Sequence, residues 1–208
     1  DRADALADEL NAQSVPFCPA FPKNGRTIFK GYLFAGEVLL NESGMQDHPL
    51  TPMKDPNLQR VLASQSRHAV GLIPYDVIHR GADAIVKTMH SEIEAGRPFL
   101  IFDAINDDDL RAIGSACKDL QLITGGSGIA IGLPENFRQQ GKLNADVIAD
   151  RLGTATGKAA IISGSCSRMT RQQVETIVPA RRFKIDVMKL LQNSSAMHEE
   201  ALRWAEDN

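Results

Sequence analysis

Apolar residues along this chain fall into short continuous runs that alternate with longer stretches of helical spacing. Three runs, at residues 69–74, 98–104 and 120–124, are rich in branched and aromatic side chains and predict buried strands. The stretches 81–95 and 106–120 place apolar residues three and four positions apart and predict helices. Strands that alternate with helices favour a mostly parallel sheet with right-handed crossovers.

The beginning of the chain has a more irregular pattern. Residues 1–10 place Ala and Leu on one helical face, and 14–22 predict a strand that prolines interrupt. Asn24, followed by glycine, is a turn signal before an extended segment. Residues 35–45 predict a short helix closed by a glycine, and 55–65 predict a helix that is capped by an Asp-Pro pair at its start.

A polar stretch at residues 141–157 predicts a domain boundary. Beyond it the alternation returns, with strands and helices predicted at 159–163, 171–178, 182–187 and 195–208. We therefore expect an α/β protein with mostly parallel sheets flanked by helices. Residues 1–145 and 146–208 are expected to form parts of two domains with a cleft between them.

The overall composition narrows the classes of partner. The chain of 208 residues is 43% hydrophobic and 24% charged, with a net charge of -3 and a pI of about 6.0. This balance gives no electrostatic footprint for nucleic acid or an anionic membrane, and no apolar run approaches the roughly 20 residues of a membrane span. We expect small-molecule partners, and neither nucleic acid nor a membrane.

The chain contains three cysteines, Cys18, Cys117 and Cys166. Their odd number and the lack of CxxC spacing suggest neither a disulfide framework nor a zinc site. Reduced thiols and a cytoplasmic location are the expectation that follows. Cys166 is interpreted as a small packed residue rather than a nucleophile, because the sequence identifies no base for it.

A glycine-rich loop follows the third apolar run, with Gly125, Gly126, Ser127 and Gly128 in a row. Ligands of open α/β sheets bind beyond the carboxyl ends of the strands, where backbone N–H groups and a helix N-terminus favour an anion. The same glycines also suit a strand-to-helix turn that requires positive φ. The spacing leaves both interpretations open, and it matches neither a P-loop nor GxGxxG.

A second loop of similar character, Ser163 to Thr170, follows the apolar run at 159–163. Its hydroxyls precede a helix whose predicted N-cap is Thr170 or Ser167. Two strand-loop-helix junctions on either side of a domain boundary favour a ligand cleft shared by two domains.

The turn from Pro22 to Thr27 presents cationic and polar donors in a short space. Lys23 and Arg26, with Asn24 and Thr27, suit a carboxylate or a phosphate, although the residues by themselves favour a solvated surface turn. His48 lies in a proline-rich loop, where it is either a general acid-base, a hydrogen-bonding partner of the substrate, or structural.

The acidic run Asn106 to Leu110 has two interpretations. Its carboxylates resemble a Mg²⁺ ligand set. A helix N-terminus explains the same residues more simply, because Asn is a favoured N-cap and aspartates in the first turn complement the helix dipole.

Four of these stretches together resemble the four-carbon acid sugar kinase family. They read PAFPKNGRTIFKGYLF, LLNESGMQDHPLTPMKDPNL, LITGGSGIAIG and IISGSCSRMTRQQV, and the resemblance extends from Asp1 to about Asp186. It implies an N-terminal sugar-acid-binding domain followed by a nucleotide-binding domain. The implied reaction is ATP-dependent phosphorylation, with Mg²⁺, of the terminal hydroxyl of 3-oxo-tetronate, D-threonate or D-erythronate, with 3-oxo-tetronate favoured.

The resemblance also implies roles for individual residues. Arg26 is the candidate for the substrate carboxylate, and Ser165 is the first candidate for an ATP contact. The further substrate candidates are Lys23, Asn24, Thr27 and His48, and the further nucleotide candidates are Ser163, Gly164, Ser167, Gly126, Ser127 and Gly128. The sequence alone assigns no metal ligand.

Two departures from the family pattern lead to further expectations. The N-terminal DDFTGA element and the glycine-rich remainder of the nucleotide domain do not occur in this sequence, and the chain starts without Met. We expect a piece of a longer kinase, with catalytic residues upstream of Asp1 and little or no activity in this piece alone. The alternative is a non-catalytic module that binds a sugar acid or sugar phosphate. The apolar segment 28–40 suits the core and a homo-oligomer surface equally.

Overall fold

The structure, a computed structural model, describes residues 2–47, 51–143, 153–154, 156–165, 167–177 and 181–207. By its internal contacts the chain divides into two compact units, Asp1–Ala149 and Asp150–Asn208. Within the described ranges, no helix combines the length and the apolar character needed to cross a bilayer.

The secondary structure alternates as the hydrophobic pattern predicts in the first unit. Its strands are β1 (Val15–Cys18), β2 (Arg26–Phe29), β3 (Tyr32–Ala35), β4 (Val38–Leu39), β5 (Val70–Ile73), β6 (Phe99–Phe102) and β7 (Thr124–Gly125). Its α-helices are α1 (Arg2–Glu9), α2 (Leu58–Ala63), α3 (Tyr75–Ile78), α4 (Ala82–Glu94), α5 (Asp107–Ala116) and α6 (Pro134–Gln139). The α-helices of the second unit are α7 (Arg168–Thr176), α8 (Val187–Gln192) and α9 (Ser194–Asp207).

A parallel sheet with strand order β5-β6-β1-β7 forms the centre of the first unit. Phe99 of β6 lies opposite Val70 of β5 on one side and Val15 of β1 on the other. The strands predicted at 69–74 and 98–104 are therefore confirmed, and so is the α/β fold class.

The third predicted strand, at 120–124, is shorter than expected. β7 consists of Thr124 and Gly125 only, paired with the end of β1. Leu122 and Ile123 are partly buried against the hydrophobic core without belonging to the sheet. Burial of side chains therefore explains this apolar run, and strand pairing accounts for its last residue alone.

The core of the first unit is built around β6. All four residues of Phe99–Phe102 are buried. α4 contributes the buried Ile85 and Met89, and α5 contributes the buried Leu110 and Ile113. These pairs are four and three residues apart, so each helix presents one apolar face. The two helices predicted on this periodicity are confirmed.

β2, β3 and β4 form a separate antiparallel sheet. Lys30 and Gly31 connect β2 to β3, both in the left-handed region with φ of 51° and 75°. Ile28 and Ala104 exchange two backbone hydrogen bonds of 2.8 and 3.0 Å, which join this sheet to the residues that follow β6. The extended segment predicted after Asn24 is confirmed.

The short helix predicted at 35–45 is wrong. Ala35 pairs with Val38 and Phe34 with Leu39, so the chain reverses into a hairpin. 3₁₀ turns at Leu40–Glu42 and Met45–Asp47 follow. Pairing with the neighbouring β3 overrides the local helical spacing, which is a weak preference.

The helix predicted at 55–65 exists, but the predicted Asp-Pro cap is wrong. α2 has Asn57 as its N-cap, and the Asn57 side chain accepts a hydrogen bond of 3.0 Å from the Arg60 N–H. Asp55 accepts instead from the Asn57 N–H at 2.9 Å and from the Arg60 guanidinium at 2.6 and 2.8 Å. The aspartate thus stabilises the first turn from outside the helix.

The second unit is helical in its described residues. The helices predicted at 171–178 and 195–208 are confirmed by α7 and α9, whereas α8 was not predicted. α8 and α9 pack against each other, and Met197 of α9 is buried. Asp186 caps α8 by accepting hydrogen bonds from two backbone N–H groups of its first turn.

The strands predicted at 159–163 and 182–187 are wrong. The described residues of these segments form no strand, and Ile161 and Ile162 are 77% and 94% exposed. A parallel strand is stable only when a neighbouring strand supplies partners for its backbone groups. No strand among the described residues of the second unit supplies them.

Candidate functional site

Two of the predicted ligand-binding segments meet in the first unit, where β1 and β7 end. The chain after β1 runs through Pro19, Ala20 and Phe21. Phe21 donates a backbone hydrogen bond of 2.7 Å to Arg26 and accepts one of 3.0 Å from it. The glycine loop lies against the same three residues. This edge of a parallel sheet is where ligands of α/β proteins bind.

Close backbone packing explains two of the loop glycines. A Cβ on Gly125 would lie 2.3 Å from the Cys18 carbonyl oxygen, and one on Gly128 would lie 2.1 Å from the Ala20 carbonyl oxygen. Neither these two glycines nor Gly126 has a positive φ. The interpretation of the loop as a positive-φ turn is therefore wrong, whereas its role as an anion cradle stays a prediction.

Replacing Gly128 with alanine will destabilise the protein by about 2–3 kcal/mol, because the new methyl group must displace backbone atoms of the segment after β1. Denaturant unfolding measures this change. Gly126→Ala is the matched control, since its Cβ would lie 3.3 Å from the Pro19 carbonyl oxygen and needs only a small adjustment. Equal stability of the two variants would contradict close packing as the reason for the glycine.

The turn that carries the predicted substrate residues is a tight local structure. Pro22–Asn24 form one 3₁₀ turn, and Gly25, with a φ of 68°, closes it by donating a 2.8 Å hydrogen bond to the Pro22 carbonyl. Glycine adopts this left-handed conformation at no steric cost, because it has no Cβ. The predicted Asn-Gly turn is confirmed. Lys23 and Asn24 are exposed, and Thr27 is half-buried on β2.

Arg26 is half-buried and has no side-chain hydrogen bond or ion pair to any residue that the structure describes. Every other arginine described between residues 2 and 143 interacts with a protein group. Ion pairs join Arg60 to Asp55, Arg67 to Asp8, Arg97 to Glu92, Arg111 to Asp108 and Arg138 to Glu135. Arg80 donates a hydrogen bond to a backbone carbonyl, and Arg2 also interacts with a protein group. Arg26 therefore keeps its forked donors available for a ligand.

Lys23 differs from Arg26 in having a protein partner. Its Nζ lies 3.1 Å from Oδ2 of Asp107, the first residue of α5. The pair joins the turn to the helix that follows β6. Lys23 is 68% exposed, so the ion pair itself contributes little stability.

The acidic run at the start of α5 acts as a helix cap, as the sequence predicts. Asn106 accepts a 2.9 Å hydrogen bond from the Asp109 N–H, and Asp109 accepts one of 3.0 Å from the Asn106 N–H. This reciprocal arrangement is a capping box. Among the described residues, no group of three or more His, Cys, Asp or Glu side chains is arranged to hold a metal ion.

Asp103 is a positioning residue that the sequence analysis missed. It follows β6 and is fully buried, and its carboxylate accepts hydrogen bonds from the N–H groups of Lys30, Gly31 and Tyr75 at 2.7, 2.8 and 2.9 Å. Burial raises the pKa of Asp103, against the effect of these three hydrogen bonds. The carboxylate ties the β2–β3 turn to the sheet and so supports the strand that begins at Arg26. A charged residue directly after a fully apolar run was the available signal.

His48, the remaining predicted substrate residue, lies outside the described residues. Its role stays a prediction.

The predicted nucleotide loop of the second unit is exposed. Ser167 is the N-cap of α7, as one of the two sequence alternatives predicts, and its Oγ accepts a 3.1 Å hydrogen bond from the Thr170 N–H. Ser165 Oγ accepts a 3.2 Å hydrogen bond from the Ser167 N–H. Ser163 and Gly164 precede them without secondary structure. These hydroxyls shape the start of the helix, and their contact with a nucleotide stays a prediction.

Two cysteines lie in the core of the first unit. Burial raises the pKa of both the Cys18 and the Cys117 thiol to about 12. A thiol with such a pKa is protonated at neutral pH and is a poor nucleophile. Both cysteines are therefore packing residues, and Cys166 lies outside the described residues.

A cavity of about 510 Å³ opens elsewhere in the first unit. Residues of α1, β1 and β7 line it, among them Asp4, Phe17 and Thr124. None of the described substrate candidates belongs to its wall, and Gly125 is the part of the glycine loop that reaches it. The cavity is therefore separate from the turn that carries Arg26.

Comparison with known proteins agrees with the motifs. Residues 1–133 match the family model described as a sugar-binding N-terminal domain. The chain is 46% identical over 207 residues to a 3-oxo-tetronate kinase of Pseudomonas fluorescens. The aligned region covers 99% of this chain and 48% of the relative. It is 48% identical over 205 residues to a 3-oxo-tetronate kinase of Burkholderia multivorans, with coverages of 98% and 47%.

The fold also matches a solved structure. The crystal structure of a Haemophilus influenzae protein is 37% identical, with a TM-score of 0.66, over 99% of this chain and 49% of the other. The chain spans about half the length of the curated relatives it matches. The resemblance inferred from four motifs is thus confirmed, and the chain belongs to the family of proteins with a sugar-binding N-terminal domain.

Proposed function

We propose that this chain is part of a kinase that transfers the γ-phosphoryl group of ATP to the terminal hydroxyl of a four-carbon sugar acid. 3-oxo-tetronate is the favoured substrate, and D-threonate and D-erythronate are the alternatives. The observation that carries the proposal is the identity of 46–48% to 3-oxo-tetronate kinases over nearly the whole chain. Residues 1–145 would bind the acid, and 146–208 would begin the nucleotide-binding domain.

The turn that follows β1 is the proposed binding site for the acid. Arg26 binds the substrate carboxylate through its forked N–H donors, which pair with no described protein group. Lys23 and Asn24 are exposed beside it, and Thr27 follows on β2. Those side chains, with His48, hydrogen-bond the carboxylate and the hydroxyls of the acid.

The glycine and serine loops are the proposed contacts for the nucleotide. Gly126 donates its N–H to the Cys18 carbonyl at 3.3 Å, so the backbone N–H groups of Ser127 and Gly128 are the proposed donors to phosphate oxygens, and Gly126 is proposed to let the phosphate approach the backbone. The loop follows a parallel strand. In the second unit, Ser165 is the first candidate for an ATP contact. Ser163, Gly164 and Ser167 complete that segment, which leads into the N-terminus of α7.

In the proposed reaction, the terminal hydroxyl oxygen of the acid forms a bond to the γ-phosphorus as the bond to the ADP oxygen breaks. The hydroxyl proton is released, and ADP leaves. Catalysis of this step depends mostly on positioning and on neutralising charge. In this proposal, Mg²⁺ enters with ATP as part of the substrate.

The direct test is a coupled ADP-release assay on the full-length protein with ATP·Mg²⁺ and each of the three acids. We expect turnover with at least one of them, and none when the acid is omitted. Calorimetry, which measures binding of the sugar acid and of ATP, distinguishes the kinase from the alternative of a non-catalytic module. Binding of a sugar acid without any binding of ATP, together with no turnover, would refute the kinase proposal.

A further inference from the structure

Asp107 is unlike the two aspartates that follow it. Asp109 belongs to the capping box, and Asp108 is 90% exposed and pairs with Arg111 one turn along α5. Asp107 is only 17% exposed, and it contacts Lys23 of the turn at 3.1 Å. As the first residue of α5, Asp107 complements the helix dipole, but the capping box does not include it, and neither feature explains its contact with Lys23.

The second oxygen of Asp107 has an unfavourable environment. Oδ1 is buried and has no hydrogen-bond partner among the described residues. A buried carboxylate oxygen without a partner lowers stability, and an exposed lysine offsets little of that cost. The interaction of Asp107 with the helix dipole does not require the contact with Lys23, so the effect of Asp107 on the charge of Lys23 is the property to explain.

The ion pair changes the charge that the turn presents. Lys23 and Arg26 are three residues apart, and Asp107 neutralises the first of them. Arg26 is then the cation of this turn that no described carboxylate compensates. One uncompensated cation matches a ligand with one negative charge, and Asp107 would repel a second negative charge on the ligand.

We propose that Asp107 is a specificity-determining residue, which restricts the turn to four-carbon acids with a single carboxylate and disfavours dicarboxylic acids. The inference rests on the proposed function, in which this turn binds the carboxylate of the sugar acid. D-threonate and tartrate are matched probes, because they differ in the group at the fourth carbon: a neutral hydroxymethyl in the first and a carboxylate in the second.

The test is calorimetric titration of the full-length wild type, Asp107→Asn and Asp108→Asn with D-threonate and with tartrate. Asn retains the size of Asp107 and removes its charge, which leaves Lys23 uncompensated. We expect the affinity for tartrate relative to D-threonate to rise about fivefold or more in Asp107→Asn, the effect of one unit charge at close range. Asp108→Asn removes an equal charge one residue away and should keep the wild-type ratio.

A second variant tests whether the change in preference for tartrate depends on the ion pair between Lys23 and Asp107. Lys23→Met added to Asp107→Asn should abolish the gain for tartrate, because the uncovered cation is then absent. Mass spectrometry can follow how fast an amine-reactive reagent acylates Lys23, and this rate reports whether the ion pair exists. The rate should rise in Asp107→Asn and stay at the wild-type value in Asp108→Asn. Thermal unfolding verifies that each variant is folded.

The outcomes are distinguishable from those of the function assay. Wild-type protein that binds D-threonate, with an unchanged preference in Asp107→Asn, overturns the inference and leaves the proposed function intact. Wild-type protein that binds neither acid refutes the proposed acid site, and the inference with it. A shift in preference that persists after Lys23→Met also overturns the inference, since another cation would then be responsible.

Discussion

Replacing Arg26 with methionine will raise the dissociation constant for the sugar acid about 30- to 100-fold. Hydrogen bonds to a charged group contribute about 1.5–3 kcal/mol, and the forked guanidinium makes two of them with a carboxylate. Arg26 pairs with no described residue, so its removal breaks no internal ion pair. The thermal midpoint should therefore stay close to that of the wild type, while calorimetry shows the weaker binding of the acid.

Two further variants make the Arg26 result specific. Arg26→Lys keeps the charge and removes the fork, so we expect an affinity between those of the wild type and Arg26→Met. Arg111→Met removes an exposed arginine whose partner is Asp108, and it should bind the acid as the wild type does. Wild-type affinity in Arg26→Met would show that this residue does not bind the carboxylate.

Replacing Asp103 with alanine will lower the free energy of unfolding of the first unit by about 3–5 kcal/mol. The change leaves the N–H groups of Lys30, Gly31 and Tyr75 without their acceptor in a buried site. Denaturant unfolding measures the loss. Amide hydrogen exchange locates it, because the protection of these three N–H groups should fall more than that of β6.

The pH dependence of this loss follows from the raised pKa of Asp103. Folding favours the protonated carboxyl, so its contribution is fully present below the ordinary pKa of 3.8 and declines as pH rises through the higher pKa of the folded state. The difference between wild type and Asp103→Ala should thus be larger at acidic than at neutral pH. Asp119→Ala, at an exposed position, is the control and should change stability by less than about 0.5 kcal/mol. Equal losses in the two variants would refute the structural role of Asp103.

Asp103 and Arg26 are connected through the β2–β3 hairpin. Arg26 begins β2, and the carboxylate of Asp103 holds the turn at the other end of that strand. Ile28, which lies between them on β2, forms backbone hydrogen bonds with Ala104. We therefore expect Asp103→Ala to weaken binding of the acid as well, although Asp103 is not among the residues proposed to contact the acid.

The success of the sequence interpretation depended on how local each signal was. The continuous apolar run of β6 and the Asn106 cap of α5 involve residues within a few positions of each other, and both were predicted correctly. Asp103 was missed because two of its partners, Lys30 and Gly31, are 73 and 72 residues away. No periodicity or spacing reports a contact at that distance.

Tertiary contacts also decided the interpretation of the glycine loop. Gly125 and Gly128 were expected to provide either an anion cradle or positive φ. Positive φ is wrong, whereas the anion cradle stays a prediction. The two glycines leave room for the end of β1 and the backbone that follows it, more than 100 residues earlier in the sequence. The strand predicted at 159–163 is wrong because a tertiary contact is missing. Strand propensity without a paired neighbour produced no strand in the described residues.

By itself, the sequence determined the alternation of strands and helices in the first unit, the Asn-Gly turn, the helix cap and the family to which the chain belongs. These features depend on backbone preferences and side chains that interact across one or two turns. Only the tertiary structure decided that Lys23 has a partner in Asp107 while Arg26 has none among the described residues. Charge pairing depends on which distant segments the sheet brings together, and that information is spread over the whole fold.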